Sequence, residues 1–501
     1  MRRIAGGIAV LVGLLVAAPA VAAHSAQPGE LDGFEYVALG DSYSAGFGLT
    51  PYSATSPFAA TPPSDPNGCY QADANYPHLV TTALGLTIDD QTCSGAISAN
   101  IGYPSSATIP VTPVIDTLPE LPTVPTIQTT MSGQTALQLQ TAALSADTDI
   151  VTVAIGGNDL GFTDIAEACM RTALGGNVTG LLFLTGGTYA TENCANYFTT
   201  ATNTPAFPAD ANLENRMTTL IAPRISATFD EIAALAPNAQ VFVVEYPQIA
   251  SADATDACFS APFTTGGSVP FSGVDIQYIH TVQGWLNQAM EDAAIAHGFH
   301  WVETEESTSG HSLCSDDPWI ANLDIQLASG GVCPPGWMPL GQDGNVYACV
   351  ALGALHPNEA GVANLAALVQ QAVNDAFGTS VSVGSVAPGA GLTVSGVGFR
   401  PGEQVEVVLH STPATLGTFT AGAGGAFSAA VTVPADVDPG AHTVVSTGLT
   451  SGRAFSAALT IELAATGGSD SSAPLLLGLY FVTAGFLLVS ARRARPSGPA
   501  R

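Results

Sequence analysis

The chain has 501 residues and is strongly acidic, with 41 aspartate and glutamate residues against 11 basic residues and a formal net charge of −30. Such a charge repels phosphate-rich polymers, which excludes nucleic acid as a partner. Because 47% of the residues are hydrophobic, the chain is apolar enough to bury a sizeable core.

The first 23 residues have the composition of a secretory signal peptide. Arg2 and Arg3 precede an apolar run over residues 4–16, and small residues follow up to Ala23, which is the order found in signal peptides. The alternative is a membrane-spanning helix, for which the apolar run is short. The sequence therefore predicts export, with removal of residues 1–23.

An α/β domain is predicted over residues 31–378 because short apolar strands alternate with amphipathic helices. The first strand covers residues 34–39 and leads directly to Ser42 on the following turn. Further strands are predicted at 149–155, 240–245 and 299–302, and helices at 213–235, 274–296 and 358–377. This alternation indicates a mostly parallel sheet.

Three stretches rich in Pro, Gly, Thr or Asn do not fit this pattern, namely residues 52–71, 105–132 and 172–208. We expect them to be surface loops. Loops of this length are either lids and substrate walls or ordered insertions without a role in the reaction, and the sequence leaves both readings open.

A small β-sandwich is predicted over residues 379–462. Strand-like runs at 391–397, 404–409, 426–433, 442–446 and 454–461 are separated by Pro-Gly, Gly-Gly and Ser-Gly turns, a spacing that suits antiparallel sheets. The region resembles the immunoglobulin-like modules of bacterial wall proteins, and we expect it to act as a spacer.

The last part of the chain, residues 463–501, resembles a Gram-positive cell-wall sorting signal of the Leu-Ala-x-Thr-Gly type. The motif runs from Leu463 to Thr466 and Gly467, and an apolar stretch and an arginine-rich tail follow. The resemblance implies cleavage after Thr466 by a sortase and attachment to the cell wall. The alternative is that the apolar stretch, residues 474–490, stays in the membrane as an anchor.

All eight cysteines lie between residues 69 and 349, and in an exported chain we expect four disulfides rather than a metal site. Eight cysteines allow about 105 connectivities, so sequence alone does not choose among them. Pairing neighbours along the chain gives Cys69–Cys93, Cys169–Cys194, Cys258–Cys314 and Cys333–Cys349.

Four short blocks follow one another in the α/β region: GDSY at 40–43, CSGA at 93–96, IGGND at 155–159 and LHPNEAG at 355–361. This ordered set resembles the blocks of the SGNH (GDSL-type) hydrolase family, in particular its secreted bacterial esterase and lipase branch. The resemblance implies a three-layer α/β fold and a serine esterase or lipase.

The resemblance makes Ser42 the nucleophile. It also assigns the oxyanion hole to the backbone N–H groups of Ser42 and Gly95 and to the side-chain amide of Asn158. Acyl transfer needs such donors because negative charge develops on the carbonyl oxygen. Structural alternatives remain, since a serine after a strand is a common helix cap and asparagine is a favoured turn residue.

His356 is the expected base, with His311 as its rival. The family's usual acid would stand three residues before the base, where this chain has Gly353. We therefore expect a main-chain carbonyl near Gly353 to orient the imidazole of His356. The alternative is that the carboxylate of Asp316 or Asp317 reaches this histidine.

These residues predict two-step hydrolysis of carboxylic esters outside the cell, without a cofactor or metal. Esters of short to medium acyl groups are the first choice of substrate, and lipids and acetylated polysaccharides both fit an exported enzyme. Two alternatives are a polysaccharide acetylesterase at the cell surface and a surface adhesin that keeps the fold without chemistry.

Overall fold

The computed structural model describes residues 24–53, 69–103, 139–162, 165–166, 169, 193–199, 213–255, 271–313, 315–329, 333–343, 346–411 and 413–462. Several predictions from the sequence lie outside these residues. They are the signal peptide at 1–23, the Cys258–Cys314 bridge, the sorting signal at 463–501 with Leu463, Thr466 and Gly467, the loop at 105–132, and most of the loops at 52–71 and 172–208.

The strands of the α/β part are β1 (Glu35–Gly40), β2 (Thr87–Asp90), β3 (Ile150–Ala154), β4 (Gln240–Val244) and β5 (His300–Val302). Its helices are α1 (Ser42–Ala45), α2 (Tyr76–Leu84), α3 (Ser98–Ile101), α4 (Gly157–Leu160), α5 (Cys194–Thr199), α6 (Leu213–Arg216), α7 (Ala222–Leu235), α8 (Gly273–His297), α9 (Glu305–Thr308) and α10 (Glu359–Ala376). A short 3₁₀-helix covers Gln140–Ala143, and a π-helical turn, Met217–Ile221, joins α6 to α7.

Strands β1 to β5 form one parallel sheet in the order β2-β1-β3-β4-β5. Every residue of β3 is buried, as expected for a strand covered on both faces. Helices α2 and α10 pack against each other, and α7 packs against α8. The predicted three-layer α/β fold is confirmed.

The carboxyl ends of the strands lie at one edge of the sheet. Gly40 at the end of β1 pairs with Ala154 at the end of β3, and Val153 pairs with Val243 of β4. Since parallel strands end together, the loops that follow them meet at this edge. The GDSY and IGGND blocks are two of these loops.

The C-terminal part is rich in strands, as predicted. Its strands are β9 (Gly378–Val381), β10 (Ser385–Val386), β11 (Gly391–Val397), β12 (Gln404–His410), β13 (Ala414–Thr420), β14 (Phe427–Thr432), β15 (Gly440–Gly448) and β16 (Ala454–Ile461). They form a five-stranded sheet, β10-β16-β15-β12-β13, and a three-stranded sheet, β14-β11-β9. Buried and partly exposed residues alternate along β11 and β12, which shows that one face of each strand faces the core.

A fourth sheet, formed within residues 325–351, was not predicted from the sequence. Strands β6 (Ile325–Ser329), β7 (Trp337–Asp343) and β8 (Val346–Ala351) form it in the antiparallel order β6-β8-β7. The pairing of β7 with β8 shifts between Pro339 and Gly341. Proline and glycine at this irregularity interrupt the alternation by which a strand is recognised.

Three of the four predicted disulfides are present in the described part of the chain. The structure joins Cys69 to Cys93, Cys169 to Cys194 and Cys333 to Cys349. The first bridge fixes the CSGA loop, because Cys93 stands at its beginning. Among the described residues, no helix is both long and apolar enough to cross a membrane.

The β-rich C-terminal part packs directly against the α/β part. Arg453 is buried and forms an ion pair with Asp149, the residue before β3. Its guanidinium also donates to the carbonyl of Gly398 at 2.6 Å and lies 5.5 Å from the ring centroid of Phe34 and 5.9 Å from that of Phe377. These contacts lie at the amino edge of the parallel sheet, opposite the edge that carries the GDSY and IGGND loops.

We expect Arg453→Met to lower the free energy of unfolding by about 3 kcal/mol or more, because it removes a buried guanidinium and leaves the largely buried carboxylate of Asp149 with the N–H of Glu35 as its remaining donor. Urea unfolding followed by tryptophan fluorescence measures this change. The matched control is Arg400→Met, which breaks an ion pair with the exposed Asp147 and should cost less than about 1 kcal/mol. Equal losses in the two variants would contradict the packing described here.

Candidate active site

The turn after β1 presents Ser42 at the carboxyl edge of the sheet. Gly40 has φ +146°, and a Cβ there would lie 2.5 Å from Oγ of Ser44 and 2.9 Å from the carbonyl oxygen of Ala154, so only glycine fits. Oδ1 of Asp41 accepts the N–H of Tyr43 at 3.0 Å and caps the single turn α1. Ser42 follows this cap and is 7% exposed.

His356 lies against Ser42, although 314 positions separate them in the chain. Nε2 of His356 is 2.7 Å from Oγ of Ser42, and Nδ1 is 2.8 Å from the carbonyl oxygen of Ala354. Because a carbonyl oxygen only accepts, Nδ1 carries the proton and Nε2 is free to accept the proton of the serine hydroxyl.

The loop that carries His356 is held by the serine's own turn. The hydroxyl of Tyr43 donates to the carbonyl of Leu355 at 2.6 Å, and Leu355 has φ +63°, a backbone conformation uncommon for leucine. The ring centroids of Tyr43 and Phe47 lie 4.7 and 5.0 Å from that of His356. The base and the turn of Ser42 therefore cannot move independently.

The alternative prediction, that Asp316 or Asp317 orients His356, is wrong. Nδ1 of His356 faces a main-chain oxygen, as expected from the glycine at position 353, and the oxygen belongs to Ala354. The carboxylate of Asp317 is largely exposed and lies 3.5 Å from Nδ1 of His311 instead. His311 is stacked on Trp319, so the rival histidine pairs within its own surface loop, which also contains Asp316 and Asp317.

Gly95 and Asn158 line the same pocket as Ser42 and His356. Gly95 has φ +83°, a conformation that favours glycine. The side-chain amide of Asn158 donates one hydrogen to the carbonyl of Ala96 at 2.9 Å, which fixes the orientation of that amide. All four residues from the sequence blocks are therefore gathered in one place.

Asp159 connects the two loops that carry Gly95 and Asn158 through hydrogen bonds. Its carboxylate accepts the N–H of Ser98 at 2.8 Å and the hydroxyl of Ser98 at 2.5 Å. Arg224 lies 3.7 Å from the same carboxylate. Burial raises the pKa of Asp159, and the hydrogen bonds from Ser98 and the charge of Arg224 oppose this rise. These contacts fix the distance between the two loops.

Tyr246 is a residue of the site that sequence reasoning missed. Its hydroxyl donates to Oδ2 of Asp41 at 2.5 Å and accepts the N–H of Gly157 at 3.2 Å, so it connects the turn of Ser42 to that of Asn158. The sequence signal that could have identified Tyr246 was its position two residues after β4, at the same edge of the sheet. Burial raises the pKa of Asp41 to about 7, and the hydrogen bond from Tyr246 limits this rise.

The imidazole of His356 is a weak base in this environment. Burial lowers its pKa to about 4, and the hydrogen bond to Ala354 opposes the shift only in part. The ring is therefore neutral over the whole neutral and mildly acidic range. A neutral imidazole is the form that can accept a proton from a serine hydroxyl.

Comparison with known proteins identifies the family of this chain. Residues 38–363, more than half of the chain, match the model of the GDSL-like lipase/acylhydrolase family. The chain belongs to this family. It is therefore a carboxylic ester hydrolase, and not the non-catalytic adhesin that the sequence left open as an alternative.

Similar proteins come from Streptomyces. The hydrolase is 27% identical over 330 residues to a protein named Lipase 2 from Streptomyces coelicolor, covering 64% of this chain and 88% of that protein. It is 27% identical over 343 residues to an esterase from Streptomyces scabiei, covering 65% and 86%. The crystal structure of phospholipase A1 from Streptomyces albidoflavus matches with 20% identity and a TM-score of 0.42, covering 68% of this chain and 99% of that one.

Proposed function

We propose that the hydrolase cleaves carboxylic esters by a serine mechanism in which Ser42 is the nucleophile and His356 is the general base. The observation that carries this proposal is the 2.7 Å contact between Oγ of Ser42 and Nε2 of His356 in a pocket that Gly95 and Asn158 also line. A serine hydroxyl needs such a base because it is a poor nucleophile at neutral pH.

In the first step Nε2 of His356 takes the proton of Ser42 while Oγ attacks the acyl carbon. The negative charge on the former carbonyl oxygen is stabilised by the N–H groups of Ser42 and Gly95 and by the second amide hydrogen of Asn158. The imidazolium then gives its proton to the leaving alcohol. Water repeats the attack on the acyl-enzyme, releases the carboxylic acid and restores the serine.

The hydrogen bond from Nδ1 of His356 to Ala354 replaces the usual carboxylate. A carbonyl fixes the tautomer and the ring orientation, but it stabilises the imidazolium less than a buried carboxylate would. The mechanism therefore depends strongly on the three oxyanion donors. It involves neither a cofactor nor a metal ion.

We also propose that the hydrolase acts outside the cell. The signal-peptide-like composition of residues 1–23 and the disulfides of the described residues support export. In this proposal residues 31–378 are the hydrolase domain, residues 379–462 are a spacer domain, and a sortase joins the chain to the cell wall through the signal at 463–501.

Ser42→Ala should lower kcat for p-nitrophenyl acetate by about a thousandfold or more, because no other hydroxyl faces the base within the described pocket. The matched control is Ser411→Ala in the β-rich part. Oγ of Ser411 is 2.6 Å from Nδ1 of His442, whose other nitrogen faces the carbonyl of Asp438. This pair also links a serine hydroxyl through an imidazole to a carbonyl, with the two ring nitrogens exchanged. It lies outside the pocket, and its loss should leave kcat unchanged. A Ser42→Ala enzyme with full activity would refute the proposal.

The pH profile of kcat/KM tests the role of His356. Because the base must be unprotonated, the rate should stay constant from about pH 7 down to about pH 5 and then fall through the pKa of about 4. An exposed imidazole would produce this fall near pH 6.5. Released carboxylic acid is measured by chromatography. A fall centred near pH 6.5 would contradict a buried base of low pKa.

Thr466→Ala tests the sorting proposal in a host that carries a matching sortase. Cleavage after Thr466 should be lost, so the hydrolase should leave the covalently bound wall fraction. Immunoblots of muramidase-released wall fragments measure this linkage, and Thr460→Ala in β16 serves as the control. Unchanged covalent linkage of the Thr466 variant would contradict the proposal.

A further inference from the structure

The pocket at Ser42 is bounded by two apolar walls. One wall comes from α4 and the residues that follow it, and the other comes from α8. We call this space the acyl slot and define it by the side chains Leu160, Phe162, Ile165, Ile279, Val282 and Leu286.

Helix α8 presents its wall as one continuous face. Ile279, Val282 and Leu286 are spaced by three and four residues, so they lie on the same side of the helix. Each is at least 95% buried by the rest of the protein. The wall is therefore fixed by packing rather than formed by mobile surface side chains.

The acyl slot has a closed end behind the turn of Asn158. A Cβ on Gly156 would lie 2.9 Å from Cδ1 of Leu286 and 3.0 Å from Cδ1 of Ile225. These two side chains thus fill the space behind Gly156, and Leu286 lines the slot as well. Leu286 therefore closes the slot on the side of Gly156.

The polar side chains that line the slot already form hydrogen bonds with other groups of the protein. Oε1 of Gln283 accepts the N–H of Ile249 at 3.0 Å, and its Nε2 donates to the carbonyls of Tyr246 and Pro247 at 3.0 and 2.8 Å. The hydroxyl of Tyr246 is bound to Asp41 and Gly157. Gln283 and Tyr246 therefore present mainly carbon atoms, which suit an alkyl chain better than a sugar ring.

The orientation of an ester follows from the proposed mechanism. The leaving oxygen must lie near Nε2 of His356 to receive its proton, and the carbonyl oxygen must face Gly95 and Asn158. The acyl chain, the remaining substituent, then points away from His356 and into the acyl slot.

We propose that the acyl slot binds an unbranched aliphatic acyl chain of medium length, and that Leu286 sets the upper limit of that length. This inference rests on the proposed function. It favours medium-chain esters over acetylated polysaccharide, because an acetyl group leaves the apolar slot empty. Each methylene buried in the slot should raise kcat/KM about fourfold until the slot is full.

A series of p-nitrophenyl esters from acetate to palmitate tests the preference on the full chain. We expect kcat/KM to rise from acetate to octanoate and to fall again at palmitate. A profile that does not rise beyond acetate, or faster release of acetate from acetylated xylan than of octanoate from its ester, would overturn the inference. A kcat/KM that continues to rise through palmitate would contradict a slot with a closed end.

The role of Leu286 is tested by Leu286→Trp, which extends into the slot. The ratio of kcat/KM for octanoate to that for acetate should fall at least about tenfold. The control Ile295→Trp changes an exposed residue of the same helix and should leave this ratio unchanged. An unchanged ratio in Leu286→Trp would overturn the assignment.

If the tryptophan variant does not fold, Leu286→Ala decides the same point by removing the side chain that closes the slot. Its octanoate-to-palmitate ratio should fall, and an unchanged ratio would count against the slot. The two proposals fail in different ways. Acetate hydrolysis that survives Ser42→Ala refutes the serine mechanism, whereas Ser42-dependent hydrolysis without a chain-length preference refutes only the acyl slot.

Discussion

The structure of the site depends on one hydrogen-bonded line that runs from the carbonyl of Ala354 through the imidazole of His356 to the hydroxyl of Ser42. Both ends of this line are held by the same short turn. Ser42 belongs to α1, and its neighbour Tyr43 binds the carbonyl of Leu355 and packs on the imidazole ring. The sheet brings the turn and the histidine loop to one edge, and Tyr43 fixes the contact between them.

A main-chain carbonyl behind the histidine has a physical consequence for the chemistry. It sets the tautomer without adding a negative charge, so it opposes only part of the pKa reduction that burial of His356 causes. The base is then weak but remains neutral in mild acid. Rate enhancement has to come largely from the oxyanion donors, whose loops are held by the contacts of Asp159 and Tyr246.

The alternation of strands and helices predicted the parallel sheet. The sequence blocks predicted the residues that gather in the pocket, because short motifs after buried strands keep their place at the sheet edge. Ala354 could not be predicted, since a carbonyl oxygen belongs to every residue and leaves no mark in the sequence. Tyr246 follows a strand without a motif. The ion pair of Arg453 with Asp149 was also missed, because 304 positions separate two residues that share no periodic pattern.

The central claim is that Ser42 and His356 act as a pair oriented by the carbonyl of Ala354. A crystal structure of the hydrolase after reaction with a p-nitrophenyl alkylphosphonate tests it most directly. The account predicts phosphorus bonded to Oγ of Ser42, a phosphoryl oxygen facing Gly95 and Asn158, and Nδ1 of His356 at hydrogen-bond distance from Ala354. A carboxylate at Nδ1, or an adduct on another residue, would contradict it.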